Sequence, residues 1–256
     1  MDSGLERYLA DLIDAARDVL DDNLVAAYAA GSIALDAYQA DRSDVDVVLI
    51  CEDSVTLARK HELVSRLRHE VLPCPARGLE LVMYRRAVAR SGTPEPGFEV
   101  ELNTGSRMPF RATYDGNDRP AADGRFWYGL DRSILHQSGL RLFGPPAAEV
   151  FADLSPAHLR ALLIDALTWW LTLPTPASDE PASGTEDAVL GACRSLVRFR
   201  YGVWLSKVAA GRRLLDDCPS PLIERSIQAR HGGVPPTGPE ARAFQQSVLN
   251  EIRGGP

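Results

Sequence analysis

The sequence predicts an α/β domain over residues 1–153, followed by an all-α domain over residues 154–256. In the first part, short runs rich in β-branched residues alternate with stretches whose apolar residues recur every three or four positions. After Ser155 the strand pattern is absent, and helical periodicity continues along the chain. Alternating strands and helices followed by helices alone indicate two separate domains.

Two periodicities define the elements of the first domain. Apolar residues at helical spacing predict helices over 5–20 and 54–71, a short helix over 32–38 and another over "DGRFWYGLDRSILHQSGL" (123–140). Short apolar or alternating runs predict four strands: "NLVAAYAA" (23–30), "DVDVVLI" (44–50), "GLELVMY" (78–84) and "FEVELNT" (98–104).

The second domain reads as helices separated by one polar loop. "SPAHLRALLIDALTWWLTL" (155–173) is helical, and its Trp169-Trp170 pair is expected in the core. "LPTPASDEPASGTED" (173–187) is a loop rich in proline and acids. One long helical pattern is predicted over 188–215, and two shorter helices are predicted near 219–230 and 238–252.

Composition restricts the class of protein. The formal net charge of -7 argues against a nucleic-acid-binding protein and is compatible with a cationic substrate. The four cysteines form no CxxC pair, so a disulfide framework or structural zinc is not expected, and Cys51 and Cys193 are predicted to be buried thiols. The acidic N-terminus is not a secretory signal, and no apolar run is long enough to span a membrane, so a cytoplasmic protein is expected.

The stretch "GSIALDAYQADRSDVDVVLI" (31–50) carries the strongest chemical signal. Residues i and i+2 of a strand point to the same side, so Asp44 and Asp46 present two carboxylates from one face. Mg²⁺ favours such oxygen ligands when substrate phosphates complete its coordination. The alternative is a pair of solvated acids at a strand end.

Gly31, Ser32 and Ser43 flank these acids. Gly31-Ser32 lies where the first strand turns into a helix, a place that offers backbone N–H groups and a hydroxyl to an anion. Ser32 could equally be a helix N-cap, and Ser43 could cap a turn.

A third acid, Glu80, lies in the next predicted strand. If that strand pairs beside 44–50, Glu80 faces the same site and could act as a general base, although a solvent-facing Glu remains an alternative. Glu99 and Glu101 alternate on the fourth strand; they could line the same cleft, but exposure is expected.

These motifs resemble the nucleotidyltransferase signature of the DNA polymerase β-like superfamily, in which Gly-Ser is followed by [Ser/Thr]-Asp-x-Asp on the next strand. Through "LELVMY", "LHQSGLRLFGPP" and "LGACRSLVRFRYGVWLSKVAAGR", most of the chain is similar to the aminoglycoside adenylyltransferases that modify streptomycin and spectinomycin. The resemblance implies an N-terminal nucleotidyltransferase domain (1–153) with a small mixed sheet and a C-terminal helical bundle (154–256).

The resemblance also implies a site. Asp44 and Asp46 would hold Mg²⁺, and Glu80 would be the general base. The nucleotide phosphates of ATP would contact Ser32 and Ser43, and Arg194 and Lys207 would bind the triphosphate. The implied protein is a monomeric antibiotic-resistance enzyme that transfers AMP to a hydroxyl of a cationic small molecule.

The sequence specifies the acceptor less closely than it specifies the nucleotide site. Streptomycin-acting relatives place a tryptophan where "ELNTGSRM" has no aromatic residue, and Trp127 is a candidate substitute that could also be core. The acids Asp179, Glu180, Glu186 and Asp187 of the polar loop could attract substrate ammonium groups or form a solvated linker. Two alternatives stay open: a protein, RNA or metabolite acceptor, and a nucleotide-binding module without catalysis.

Overall fold

A computed structural model describes residues 3–255 of the chain, which divides into two compact units between Ser155 and Pro156. From Ser3 onward, the first unit contains six strands and six α-helices. They are α1 (Ser3–Leu20), β1 (Leu24–Ala29), α2 (Gly31–Ala34), β2 (Val45–Cys51), α3 (Leu57–Leu67), β3 (Leu79–Arg85), α4 (Arg86–Ala89), β4 (Phe98–Gly105), β5 (Met108–Thr113), α5 (Phe126–Ser138), β6 (Leu140–Phe143) and α6 (Ala147–Val150).

The strands form one mixed sheet in the order β5-β4-β3-β2-β1-β6. Only β2 and β3 pair in parallel, and the other neighbours are antiparallel. A parallel pair needs a crossover, which α3 supplies between β2 and β3. The predicted small mixed sheet is therefore confirmed, with its parallel pair at the centre.

Each face of the sheet has its own apolar core. The odd-numbered residues of β2 and β3, such as Val47 and Leu81, pack with α1 and α3. The opposite face packs Tyr28, Tyr84 and Phe98 against α5, where the ring centroids of Phe98 and Tyr128 are 4.9 Å apart. The even-numbered residues of β2 and β3 therefore share the face that α5 covers.

The edge strands β5 and β6 do not appear in the sequence prediction. Phe110 of β5 is 50% exposed, and Pro109 removes one backbone donor, so this strand lacks the alternation that marks a half-buried strand. The predicted helix over 123–140 overruns into β6, because α5 ends at Ser138 and Leu140 already pairs with β1.

The second unit is helical and contains α7 (Pro156–Thr172), α8 (Thr185–Tyr201), α9 (Lys207–Asp217), α10 (Pro221–Ala229) and α11 (Gly238–Gly254). The predicted all-α character is confirmed, but the single long helix over 188–215 is wrong. Gly202 ends α8 with φ +69°, and the Ser206 hydroxyl caps α9 by accepting from the Ala209 N–H. Glycine in a left-handed conformation followed by a serine N-cap is the ordinary signal for one helix stopping and another beginning.

Three local expectations have mixed outcomes. Cys51 and Cys193 are buried, as predicted. Trp170 is 39% exposed, and Trp169, which contacts it edge to face, is only partly buried, so the expectation that the pair lies in the core is wrong for Trp170 and is not met in full by Trp169. None of the helices in the described part of the chain combines the length and apolar composition that crossing a membrane requires.

Candidate active site

The parallel pairing of β2 and β3 brings two of the predicted acids side by side. Asp46 is the direct register partner of Glu80. Asp44 comes immediately before β2, two residues from Asp46, so both aspartates belong to the same side of the strand. Val45 and Val47 point the other way and are buried. The backbone positions of these three acids thus lie at one end of the same sheet face.

Gly31 makes close approach to Asp46 possible. Its φ is +52°, and a Cβ built on it would lie 1.9 Å from Asp46 Oδ2. The neighbouring Ala30 N–H donates to the Asp46 carbonyl at 2.9 Å. The backbone at the end of β1 therefore lies directly against Asp46. This contact explains why a glycine is needed here and gives Gly31 a positioning role in addition to the predicted phosphate contact.

Replacing Gly31 should test this packing. We expect Gly31→Ala to lower the free energy of unfolding by at least about 1–2 kcal/mol, because an L residue in left-handed conformation alone costs that much. Gly191→Ala in the interior of α8 is the matched control, since a Cβ there meets no heavy atom within 4 Å and alanine favours a helix. Urea denaturation should move the two variants in opposite directions; equal stability of Gly31→Ala and the parent would contradict the packing argument.

The two predicted serines have different surroundings. The Ser32 hydroxyl oxygen is buried and finds no hydrogen-bond partner among the residues that the structure describes. The residue that caps α2 is Ala30, so Ser32 is not the helix N-cap. The Ser43 hydroxyl accepts from the Gln39 N–H at 3.0 Å and caps the turn before Asp44. A buried hydroxyl without a protein partner suits contact with an oxyanion such as phosphate.

The environment of Glu80 favours its neutral form. The pKa of Glu80 is raised to about 7, chiefly by burial and then by the charges of Asp44, Asp131 and Glu101, while the charge of Arg111 opposes the shift. The side chain of Glu80 is exposed, so we take from this shift only its upward direction, which the neighbouring acids and partial desolvation both favour. A carboxylate with a pKa near neutrality is well suited to accept a proton at physiological pH.

Asp131 is an acid that the sequence prediction missed. It lies on α5, three residues after Tyr128 and four before Leu135, both of which pack on the sheet face of Glu80. Its side chain is exposed, and its charge acts on Glu80. The helical spacing of Asp131 from two buried residues was the available signal, since it places an acid on the face of α5 directed at the sheet.

Glu99 and Glu101 are buried, which corrects the expectation of exposure. The Glu101 carboxylate forms ion pairs with the guanidinium groups of Arg119 at 2.9 Å and Arg111 at 3.0 Å. Glu99 lies 2.8 Å from Lys60 and 3.0 Å from Arg85. Their charges are compensated by cations from distant segments, so these two acids serve the structure of β4 rather than metal binding.

The residues present fit a hard divalent cation bound jointly with a substrate. Among residues 3–255 no three or more His, Cys, Asp or Glu side chains are grouped so that they alone could hold a metal ion. Asp44 and Asp46 nevertheless supply hard oxygen ligands beside the high-pKa Glu80. Magnesium is commonly held by one or two carboxylates with water and substrate phosphates completing the shell.

Arg194 and Lys207 belong to the second unit, on α8 and at the first position of α9. Lys207 Nζ lies 3.4 Å from Asp187 Oδ1. Burial lowers the pKa of Lys207, Asp187 opposes this shift, and Arg194 and Arg230 lower it further. The structure thus brings the two predicted cations together and adds Arg230, which the sequence prediction missed.

The polar loop is shorter than predicted. Glu186 and Asp187 lie in the first turn of α8, where Glu186 is buried and accepts from the Gly184 N–H at 2.9 Å. Asp179 and Glu180 lie outside any helix and are exposed. Trp127, at the start of α5, is partly buried with its ring against Phe126. The four acids therefore do not form one solvated cluster.

The architecture is a six-stranded mixed sheet packed with helices, followed by a helical unit. A particular solved structure with this fold is that of spectinomycin adenyltransferase AAD(9) from Enterococcus faecialis with ATP and spectinomycin. It is similar to this chain with a TM-score of 0.65 and 15% sequence identity, over 96% of this chain and 98% of that one. At this identity the likeness shows the fold. No protein-family model and no curated protein sequence matches the chain.

Proposed function

We propose that the protein is an ATP- and Mg²⁺-dependent adenylyltransferase that transfers AMP to a hydroxyl group of a cationic aminoglycoside or aminocyclitol. The observation that carries the proposal is the register of β2 and β3, which sets Glu80 beside Asp46 and within the field of Asp44. Two hard carboxylates for a metal and one carboxylate of pKa about 7 are the groups that nucleotidyl transfer requires.

Each predicted residue has a role in this proposal. Asp44 and Asp46 hold magnesium, which when bound would neutralise charge on the phosphates and orient them for in-line displacement. Ser32 and Ser43 contact phosphate oxygens, and Arg194 and Lys207 bind the triphosphate. Glu80 takes the proton of the acceptor hydroxyl as its oxygen attacks the α-phosphorus. The bond from that phosphorus to the bridging oxygen of pyrophosphate then breaks, and pyrophosphate leaves.

The charge around Glu80 supports a cationic acceptor. Two acids are assigned to the metal and one to the base, and Asp131 is a fourth acid whose charge acts on Glu80. The side chain of Asp131 is exposed, so it is accessible to a cationic acceptor. The net charge of -7 favours encounter with a cation. The solved neighbour contains spectinomycin, and the absence of an aromatic residue in "ELNTGSRM" favours spectinomycin over streptomycin as the acceptor.

Pyrophosphate release tests the proposal directly. The full chain is incubated with ATP, magnesium and, in turn, spectinomycin, streptomycin and other aminoglycosides. We expect pyrophosphate in proportion to acceptor and a product heavier by one AMP in the mass spectrum. ATP binding by calorimetry without turnover on any acceptor would instead support a non-catalytic nucleotide-binding module, and AMP transfer only to a protein, RNA or metabolite would change the acceptor class.

Neutralising Asp131 tests the acceptor assignment. We expect Asp131→Asn to raise KM for the cationic acceptor roughly fivefold, since an exposed charge pair contributes up to about 1 kcal/mol. KM for ATP should stay near the parent value. Asp118→Asn, at an exposed position of the Gly116–Asp118 turn, makes the same change of charge elsewhere and is the control. An unchanged acceptor KM in Asp131→Asn would remove this residue from the acceptor site.

A further inference from the structure

A row of four polar residues crosses the sheet of the first unit at the level of the candidate site. Asp46 on β2 is the register partner of Glu80 on β3, and Glu80 is in turn the partner of Asn103 on β4. Asn103 is itself the partner of Arg111 on β5. Register partners on neighbouring strands belong to the same face of a sheet. We call these residues, Asp46, Glu80, Asn103 and Arg111, the polar row.

The order of the strands arranges the proposed roles along the polar row. Gly31 and Ser32, which follow β1, are assigned to the phosphates. Asp46 of β2 is assigned to the metal and Glu80 of β3 to the base, and β4 comes next in the sheet. In an in-line displacement the attacking oxygen and the leaving oxygen lie on opposite sides of the phosphorus. Because the phosphates are assigned to the β1 side, the acceptor approaches from the side of β4, where Asn103 lies beyond Glu80.

Asn103 has the position and the chemistry to contact an acceptor. Neighbouring strands lie about 4.8 Å apart, so the backbone of Asn103 is one strand spacing from that of Glu80. The side chain of Asn103 is half-buried, so its amide is within reach of a small molecule. An amide carries two N–H hydrogens and a carbonyl oxygen, so it can form hydrogen bonds with the oxygens of a polyhydroxylated acceptor.

Arg111 determines the orientation of the Asn103 amide. In the orientation that satisfies both ends of the amide, its oxygen accepts from Arg111 Nη2 at 3.3 Å and its nitrogen donates to the Leu102 carbonyl at 3.3 Å. The same Arg111 nitrogen donates to Glu101 Oε1 at 3.0 Å, and Glu101 is buried. The guanidinium therefore links Asn103 to a buried acid of β4. The amide nitrogen, through its second hydrogen, is the end that can donate to an acceptor.

We propose that Asn103 binds the acceptor by donating a hydrogen bond to an oxygen next to the attacking hydroxyl, and that Arg111 is the positioning residue that holds the Asn103 amide in this orientation. The inference rests on the proposed function, because it places the acceptor beside Glu80. The nucleotide lies on the other side of Glu80 in this arrangement. Asn103 and Arg111 therefore affect binding of the acceptor and not binding of ATP.

Removal of the amide should weaken binding of the acceptor alone. We expect Asn103→Ala to raise KM for spectinomycin about 2- to 10-fold, the loss expected for one hydrogen bond between neutral groups, and to leave KM for ATP near the parent value. Arg111→Gln should raise KM for spectinomycin by a smaller factor, because the amide is present but is no longer held. A purely structural role of Asn103 would change both KM values together and lower the thermal midpoint.

A double-mutant cycle tests whether Arg111 acts through Asn103. Both KM values and the thermal midpoint are measured for the full chain, Asn103→Ala, Arg111→Gln and the double variant. If Arg111 orients the amide, the double variant has the same KM for spectinomycin as Asn103→Ala, because no amide is left to orient. Asn117→Ala, at an exposed position of the same unit, is the control and should keep both KM values.

Calorimetry separates this inference from the proposed function. Spectinomycin is titrated into the protein with magnesium and an ATP analogue that has a methylene bridge between its α- and β-phosphorus atoms, so binding is measured without transfer. Normal AMP transfer with unchanged spectinomycin affinity in Asn103→Ala overturns the inference and leaves the proposed function standing. Affinity that falls in Asn103→Ala, in a protein that transfers no AMP, overturns the proposed function and supports the inference. Additive effects of the two substitutions overturn the positioning role of Arg111.

Discussion

Asp46→Asn should lower kcat for AMP transfer by about 1,000-fold, because the loss of one metal ligand removes several kcal/mol of transition-state stabilisation and each 1.4 kcal/mol is tenfold in rate. Asparagine has the same shape as aspartate, so the contact with Gly31 and the pairing of β2 with β3 are kept. The thermal midpoint should therefore not fall. Steady-state kinetics at several magnesium concentrations measures the effect.

Asp53→Asn is the matched control for that change. Asp53 lies just beyond the other end of β2 and is exposed, so the same substitution there should leave kcat at the parent value. Normal turnover in Asp46→Asn would reject the metal assignment. A loss of activity accompanied by a fall in the thermal midpoint would show instead that Asp46 holds the fold through its contact with the backbone of Gly31.

Glu80→Gln should lower kcat by about 10²- to 10⁴-fold, the range usually contributed by a general base. The amide has the size of the carboxyl but cannot accept a proton from the acceptor hydroxyl. Nucleotide binding should be retained, so KM for ATP should change little while kcat falls. Both kcat and KM for ATP should be measured with the acceptor that gives the fastest turnover, to test whether only kcat falls.

Glu70→Gln provides the control for Glu80→Gln. Glu70 is exposed and pairs with Arg68 at 2.8 Å, so its loss changes the net charge in the same way without touching the site. If Glu80→Gln raised KM for ATP and left kcat intact, Glu80 would be a nucleotide-binding group and a different base would be needed.

The carboxylates at the centre of the site could be predicted because local rules determine them. Strand periodicity of two places Asp44 and Asp46 on one side, and the β-branched runs mark β2 and β3. Their adjacency follows because strands joined by one crossover helix usually lie side by side. The pairing of Asp46 with Glu80 is thus accessible from the sequence, and the structure has it in register.

Other features of the structure could not be predicted, because they depend on residues that are distant in sequence. Glu101 looks like an exposed strand residue until Arg119, eighteen positions later, compensates its charge. Strand β5 carries no apolar alternation because it forms an edge of the sheet. The contact of Lys207 with Asp187 depends on a turn at Gly202 that helical periodicity alone does not predict. The signal for this turn was available, because Gly202 is followed four residues later by Ser206. That signal predicts where one helix stops and the next begins, but it does not predict that Arg230 pairs with Asp187.

The position of β2 and β3 within the sheet has a consequence for local opening. The carboxylate pair lies two strands from the edge at β5 and two from the edge at β6. Fluctuations that detach an edge strand therefore leave Asp46 and Glu80 in register, and the amide protons of β2 and β3 exchange with solvent only when the whole sheet opens. Asp46 and Glu80 are thus carried by the two strands whose mutual hydrogen bonds are the last to break.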